Sequence, residues 1–76
     1  MKDKIRKTIA KFLSVDEKII RDETGPGDLA KWDSLAHQGL ILELENVFKL
    51  KLEIDDVLEM ESLEDIVEII ENKIKI

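Results

Sequence analysis

Three side chains able to take part in covalent chemistry lie within five consecutive positions, Asp33, Ser34 and His37. A carboxylate, a hydroxyl and an imidazole are the groups of a hydrolase triad, in which the imidazole accepts the proton of the serine. On one turn of helix, however, an imidazole cannot both approach the hydroxyl and be oriented by the carboxylate, and no oxyanion hole is evident. A hydrolase site is therefore disfavoured, and we expect His37 to be a partly buried packing residue near Trp32.

Ser34 has a second possible use, as the attachment point of a phosphate-bearing group. Asp33 is a good N-cap for a helix that begins at Asp33 or Ser34, because its carboxylate can accept a hydrogen bond from a first-turn amide. A serine in that turn is exposed, and the free N–H groups and the dipole of the helix end favour a phosphodiester. On these residues alone, the simpler interpretation of Ser34 as a cap residue is favoured.

Helices must position this site, because apolar residues recur at helical spacing in three segments. The first segment contains Ile5, Ile9, Phe12 and Leu13, the second runs to about Phe48 or Lys49, and the last begins near Ser62 and continues to Ile74. A shorter segment, residues 54–60, is long enough for about two helical turns. Residues 14–32 have no clear period and form a long loop, with Ile19, Ile20 and Leu29 as its apolar anchors.

The apolar residues of the second helix divide into two arcs. The predicted core arc contains His37, Leu40, Ile41, Leu44, Val47 and Phe48. Leu35 and Leu42 are one heptad apart and fall on the opposite side of the helix. We therefore expect Phe48 to be a core residue, and Leu35 and Leu42 to point away from the core.

The composition limits the classes of function that are possible. Seventy-six residues form one small domain, in which a deep active-site cleft is hard to build. The absence of cysteine excludes a disulfide framework and a Cys-rich zinc site. The net charge is −6, and because residues 1–11 carry a net +4, the remainder carries −10. This acidic body disfavours nucleic acid and membrane surfaces and favours partners with basic surfaces. No apolar run approaches a membrane span and no signal-peptide core is present, which predicts a cytoplasmic location.

The second helix and its surroundings resemble the acyl carrier protein family. Asp33-Ser34-Leu35 opens a helix after a long loop, and Phe48 follows fourteen residues after the serine. Residues 52–56 resemble the short third helix of that family, and residues 62–70 its fourth. The resemblance implies an all-α fold with one acyl carrier domain over residues 1–76. That fold is a four-helix carrier-protein bundle of three main helices plus a short third helix, with a long loop between helices 1 and 2.

The resemblance also implies a function. Ser34 would carry a covalent 4′-phosphopantetheine attached by a phosphopantetheinyl transferase, with Asp33 and Leu35 as the motif flanks. The chain would be a monomeric carrier of acyl thioesters in fatty acid or specialised, polyketide-like biosynthesis, and neither an enzyme nor a metal protein. Acyl-loading and acyl-processing enzymes would dock on it through basic surfaces. Their expected contacts on this chain are Leu35, Leu42, Glu43, Glu45, Asp55 and Asp56.

Two alternatives remain open from the sequence. One is an aminoacyl carrier, such as a D-alanyl or peptidyl carrier protein. The other is an unmodified helical module that binds a partner through Leu35 and Leu42. Ala36 and Gly39 stand where charged residues are common in the family, and Trp32 stands where smaller residues are frequent. These departures argue against recognition by housekeeping fatty acid synthesis enzymes and leave the assignment of Ser34 intact.

Overall fold

The computed structural model describes residues 1–74, whose regular elements are all helical. The elements are α1 (Lys2–Leu13), a 3-10 turn (Glu17–Ile19), α2 (Ser34–Phe48), α3 (Ile54–Leu58) and α4 (Leu63–Ile74). The expected all-α bundle, with three main helices, a short third helix and a long loop before the second, is confirmed. Within these residues, no helix has the length and apolar character needed to cross a bilayer.

One aliphatic core joins α1, α2 and α4, because each of these helices has an apolar stripe at helical spacing. Its wholly buried aliphatic side chains are Ile5 and Ile9 of α1, Leu40 and Leu44 of α2, and Leu63, Ile66 and Ile70 of α4. The five residues of α3 contribute no buried side chain. The segments on either side of α3 reach the core instead, through Leu52 and Met60.

Several apolar residues are less buried than the sequence pattern predicts, among them Val47 on the predicted core arc of α2. Phe48 packs against the edge of the core and is only partly buried, and the Lys4 ammonium lies 5.3 Å from the centre of its ring, so it is a peripheral core residue and not the fully buried one that its arc predicts. Phe12 is exposed at the edge of α1, with its ring against Gly39 of α2. Ile19 is exposed in the 3-10 turn, whereas its neighbour Ile20 is buried. Periodicity places a residue on an arc, but packing of neighbouring elements decides how far that arc is covered.

The long loop is bound to the start of α4 through its backbone. The Leu63 amide donates to the Thr24 carbonyl at 2.7 Å, and the Glu64 amide donates to the Asp22 carbonyl at 3.0 Å. First-turn amides have no partner within their own helix, so these loop carbonyls satisfy two of them. Gly25 lies against the chain just before α4, where a β-carbon would clash with the Glu61 carbonyl. The loop is therefore a packed element of the fold.

Helix α3 is shorter than the two turns expected and is held through its first turn. A capping box joins Glu53 and Asp56 at its start. The Lys73 ammonium of α4 lies 2.8 Å from the Asp56 carboxylate. The hydrogen bond from Lys73, reinforced by the Glu53 amide, lowers the pKa of the Asp56 carboxyl. These contacts tie α3 to α4, which matters because so short a helix is not stable by itself.

Candidate functional site

Ser34 is the first residue of α2, and its side chain is exposed. The predicted cap is confirmed, because the Asp33 carboxylate accepts a hydrogen bond from the Ala36 amide at 2.8 Å. The amides of Ser34 and Leu35 have no acceptor among the described residues. Free amides and the positive end of the helix dipole surround the serine, and this is a favourable environment for a phosphodiester. The residues present therefore fit a phosphate-linked group on Ser34.

Trp32 and His37 form a buried pair on either side of this serine. The indole Nε1–H of Trp32 donates to Nδ1 of His37 at 3.0 Å. Trp32 is 0% exposed and His37 is 9% exposed. Since Nδ1 is the acceptor, the proton of the neutral imidazole lies on Nε2, and Nε2 is buried without a hydrogen-bond partner among residues 1–74. Burial lowers the pKa of His37, which keeps the ring neutral.

The expected packing of His37 near Trp32 is confirmed, and the hydrogen bond between them is a feature that the sequence reading missed.

The hydrogen bond between Trp32 and His37 also determines whether His37 can act as a base toward Ser34. Nδ1, the basic nitrogen of His37, accepts a hydrogen bond from the Trp32 indole. The Asp33 carboxylate accepts a hydrogen bond from the Ala36 amide. Neither group is hydrogen-bonded to Ser34, and the imidazole does not contact Asp33 through a hydrogen bond. The three side chains are therefore not connected as a hydrolase triad. The arrangement offers an exposed hydroxyl that neither His37 nor Asp33 is placed to deprotonate.

Exposed apolar side chains occur on α2 and on α3. Leu35 and Leu42 are 76% and 64% exposed, so the prediction that they point away from the core is confirmed. Ile54 and Leu58 of α3 are 78% and 71% exposed, and the sequence reading did not single them out. Their spacing of four residues was the available signal, since it puts both on one face of a helix. Large aliphatic side chains this exposed on two helices are a candidate contact surface for partners.

The acidic residues expected at that surface differ in their surroundings. Asp55 is exposed and Glu43 is half-buried. The Glu45 carboxylate accepts a hydrogen bond from the Leu52 amide at 2.8 Å, which links α2 to the segment before α3. Asp56 is engaged by the capping box and by Lys73. Two of the four acidic side chains therefore have structural partners within the chain. No group of three or more potential metal ligands occurs among residues 1–74.

Comparison with known proteins identifies the family. Residues 3–70 match the family model described as "Phosphopantetheine attachment site". The fold is similar to the solution NMR structure of the holo acyl carrier protein from Geobacter metallireducens. The TM-score is 0.84 at 25% sequence identity, over 95% of this chain and 83% of that protein. No curated protein sequence is significantly similar to the chain. With a family model that covers most of its length and a matching four-helix fold, the chain belongs to the acyl carrier protein family, whose cofactor is a covalently attached 4′-phosphopantetheine.

Proposed function

We propose that Ser34 is the residue that carries the phosphopantetheine, and that the chain transports acyl groups in fatty acid or specialised biosynthesis. The observation that supports this most is the exposed Ser34 hydroxyl at the start of the 15-residue helix α2, beside unpaired first-turn amides. Other serines lack this setting. Ser14 terminates α1 in a left-handed conformation, and Ser62 is half-buried with its hydroxyl accepting the Asp65 amide. When bound, the arm supplies the thiol that this cysteine-free chain lacks.

The attachment reaction can be written with this chain and coenzyme A as substrates. Ser34 Oγ attacks the phosphorus atom that bears the pantetheine in coenzyme A. The Oγ–P bond forms as the bond from that phosphorus to the adenosine bisphosphate breaks, without any change of redox state. The hydroxyl proton passes to a base of the transferase. His37 is not available as that base, because its basic nitrogen Nδ1 is occupied by the hydrogen bond from Trp32. The role of this chain is to present the nucleophile.

Intact-mass spectrometry tests the attachment site. The chain is incubated with a phosphopantetheinyl transferase and coenzyme A, and we expect one added phosphopantetheine. Ser34→Ala should show none, while the matched control Ser14→Ala, at an exposed serine outside α2, should be modified like the parent chain. Modification of the Ser34→Ala variant would refute the assignment. No modification of the parent chain by any of several transferases would instead favour the unmodified interaction module.

We further propose that partner enzymes with basic surfaces contact the exposed apolar residues of α2 and α3 together with nearby carboxylates. The residues in this proposal are Leu35, Leu42, Ile54, Leu58, Glu43, Glu45, Asp55 and Asp56. Apolar side chains at the centre of such a contact supply affinity, and complementary charge speeds association. Because Glu45 and Asp56 are held by contacts within the chain, Asp55 is the acidic residue whose replacement tests the charge contribution most cleanly.

Transferase kinetics test this surface. We expect Leu42→Ala to lower kcat/KM for arm attachment about tenfold, the size of a moderate interface contact. Ile19→Ala is the matched control, because it removes an exposed aliphatic side chain from the 3-10 turn instead of from α2. Asp55→Asn should flatten the dependence of kcat/KM on salt concentration. Equal effects of the two alanine variants would show that α2 has no special part in docking.

A further inference from the structure

The residue before the N-cap of α2 is fixed by three hydrogen bonds. The Trp32 carbonyl accepts the Gly27 amide at 2.6 Å, and its own amide donates to the Leu29 carbonyl at 2.9 Å. Its indole, wholly buried, donates to His37. Trp32 therefore joins the end of the long loop to the first turn of α2, by its backbone on one side and by its side chain on the other.

Hydrogen bonds connect the residues on both sides of Ser34 to each other. The His37 amide donates to the Asp33 carbonyl at 2.9 Å, and the His37 imidazole accepts the Trp32 indole. Ser34 lies between the two residues that the side-chain bond joins. Its own hydroxyl makes no hydrogen bond to the described residues. The direction in which that hydroxyl is presented depends on how its neighbours hold the backbone.

Stability alone does not explain a polar pair at this place. His37 begins the core arc of α2, which continues with Leu40, Ile41 and Leu44. Replacing both partners of a buried hydrogen bond by apolar groups of similar shape is often nearly neutral for stability. The present pair also leaves the Nε2–H of His37 buried with no partner in the described part of the chain, which is unfavourable. What the polar pair adds over an apolar one is direction, because a hydrogen bond restricts the angle as well as the distance.

We propose that Trp32 and His37 are positioning residues for arm attachment, whose hydrogen bond holds the first turn of α2 so that Ser34 meets the transferase in one orientation. The inference rests on the proposed role of Ser34. A misdirected hydroxyl loses reactivity within the complex and leaves complex formation intact. Loss of the bond therefore lowers kcat of attachment and leaves KM nearly unchanged.

Four variants separate positioning from stability. Trp32→Phe removes the donor and His37→Leu removes the acceptor, so each single variant leaves one buried polar group unpaired and should lower the melting temperature. The double variant removes both groups and should recover much of that loss. His37→Asn retains an acceptor oxygen close to the position of Nδ1. Attachment is measured with coenzyme A and a transferase, well below the lowest melting temperature, after amide spectra confirm folding.

We expect kcat to fall about tenfold in Trp32→Phe and in His37→Leu. It should fall by the same factor in the double variant, because all three lack the Trp32–His37 hydrogen bond. The double variant should therefore be stable but slow, and His37→Asn should recover most of the rate that His37→Leu loses. A double variant that is modified at the parental rate, or rates that simply follow melting temperature across the series, would overturn the inference. These outcomes leave the proposed function standing, whereas failure of the parent chain to be modified at Ser34 would remove that function itself.

Discussion

The imidazole of His37 can accept the Trp32 hydrogen bond only in one state, neutral with its proton on Nε2. Protonation would add a second hydrogen to the ring, on Nδ1 and directed at the indole N–H, and would leave a charge in a buried site. Burial is the cause of the lowered pKa of His37. This single side chain thus couples the protonation state of the chain to the structure beside Ser34.

A pH dependence of stability follows from this coupling. The pKa of His37 in the folded chain lies below its unfolded value of 6.5. The unfolded state therefore binds the proton first as the pH falls, and the His37 contribution to stability, complete above pH 6.5, is lost as the pH falls from there toward the folded pKa. Within that range the free energy of unfolding should fall by at most about 1.4 kcal/mol per pH unit from this group.

Urea unfolding at a series of pH values between neutral and about 5 measures this loss. The matched control is His37→Leu, which is less stable throughout but has no imidazole to titrate. All other titratable groups are the same in both chains, so the difference between the two slopes isolates His37. Parallel slopes for the parent chain and the variant would show that the folded and unfolded pKa values are the same.

Two leucines of α2 give a second prediction at the scale of single side chains. Leu44 is wholly buried, whereas Leu42 is largely exposed on the opposite side of the helix. Leu44→Ala should cost about 2–5 kcal/mol of unfolding free energy, as in other cores. Leu42→Ala should change it by no more than about 0.5 kcal/mol. Chemical denaturation of both variants measures the difference, and similar losses would contradict the helical phase described here.

At the scale of elements, the contact between the long loop and α4 depends on one small residue. A β-carbon on Gly25 would clash with the Glu61 carbonyl, a backbone atom that cannot move aside without moving the chain. Gly27 makes a matched control within the same loop. It has a φ of +92°, but its β-carbon would meet nothing within 4 Å. Alanine at position 25 would therefore destabilise the fold through a steric clash. Alanine at position 27 would destabilise it only through its strained backbone conformation.

We expect Gly25→Ala to lower the unfolding free energy by at least about 1–3 kcal/mol, as overpacked sites do. Gly27→Ala should cost about 1–2 kcal/mol, the usual penalty for a left-handed backbone with a side chain. Hydrogen exchange distinguishes the two causes. The amides of Leu63 and Glu64, bonded to Thr24 and Asp22, should exchange faster in the first variant only. Unchanged protection of those amides in Gly25→Ala would show that the loop does not bind α4 as described.

At the scale of the whole molecule, the composition of the core determines how easily it could open to admit an acyl chain. The buried core consists almost entirely of aliphatic side chains with Met60, and Trp32 is its one buried aromatic among the described residues. Aliphatic side chains and methionine repack more readily than stacked aromatics. A surface cavity of about 390 Å³ lies elsewhere, between α1 and the 3-10 turn, and charged residues line most of it. We therefore expect an acyl chain carried by this protein, if it is sheltered, to enter the aliphatic core between α2 and the loop by parting packed side chains.

The resemblance to acyl carriers and the composition of the core together predict that long cargo is sheltered inside. Each buried methylene contributes about 0.8 kcal/mol, so a chain of several carbons can offset the cost of opening the bundle. Melting temperature should then rise along a series from the bare arm through butanoyl to octanoyl. Chemical shifts of Leu44 and Ile66 should change with the longer chains. A flat series without such changes would indicate that the cargo stays in solvent, as is common for aminoacyl carriers.

The sequence by itself determined the features that depend on near neighbours along the chain. Asp33 caps α2 because a carboxylate at that place reaches an amide three residues later. Leu42 and Leu44 point to opposite sides because an α-helix turns by about 100° per residue. The place of Ser34 at the start of α2 follows from the same short-range rules, whereas the expectation of a phosphopantetheine on it came from the resemblance to the acyl carrier protein family.

Only the tertiary structure decided the features in which distant segments meet. Phe48, Phe12 and Ile19 have the apolar spacing or character of core residues, yet no neighbouring element covers them fully. The loop carbonyls that satisfy the start of α4 belong to residues about forty positions away along the chain. The Trp32–His37 bond spans only five residues, but it needs the loop to bury the indole. Burial and hydrogen-bond partners are properties of packed surfaces, and periodicity along one chain segment carries no information about what packs against it.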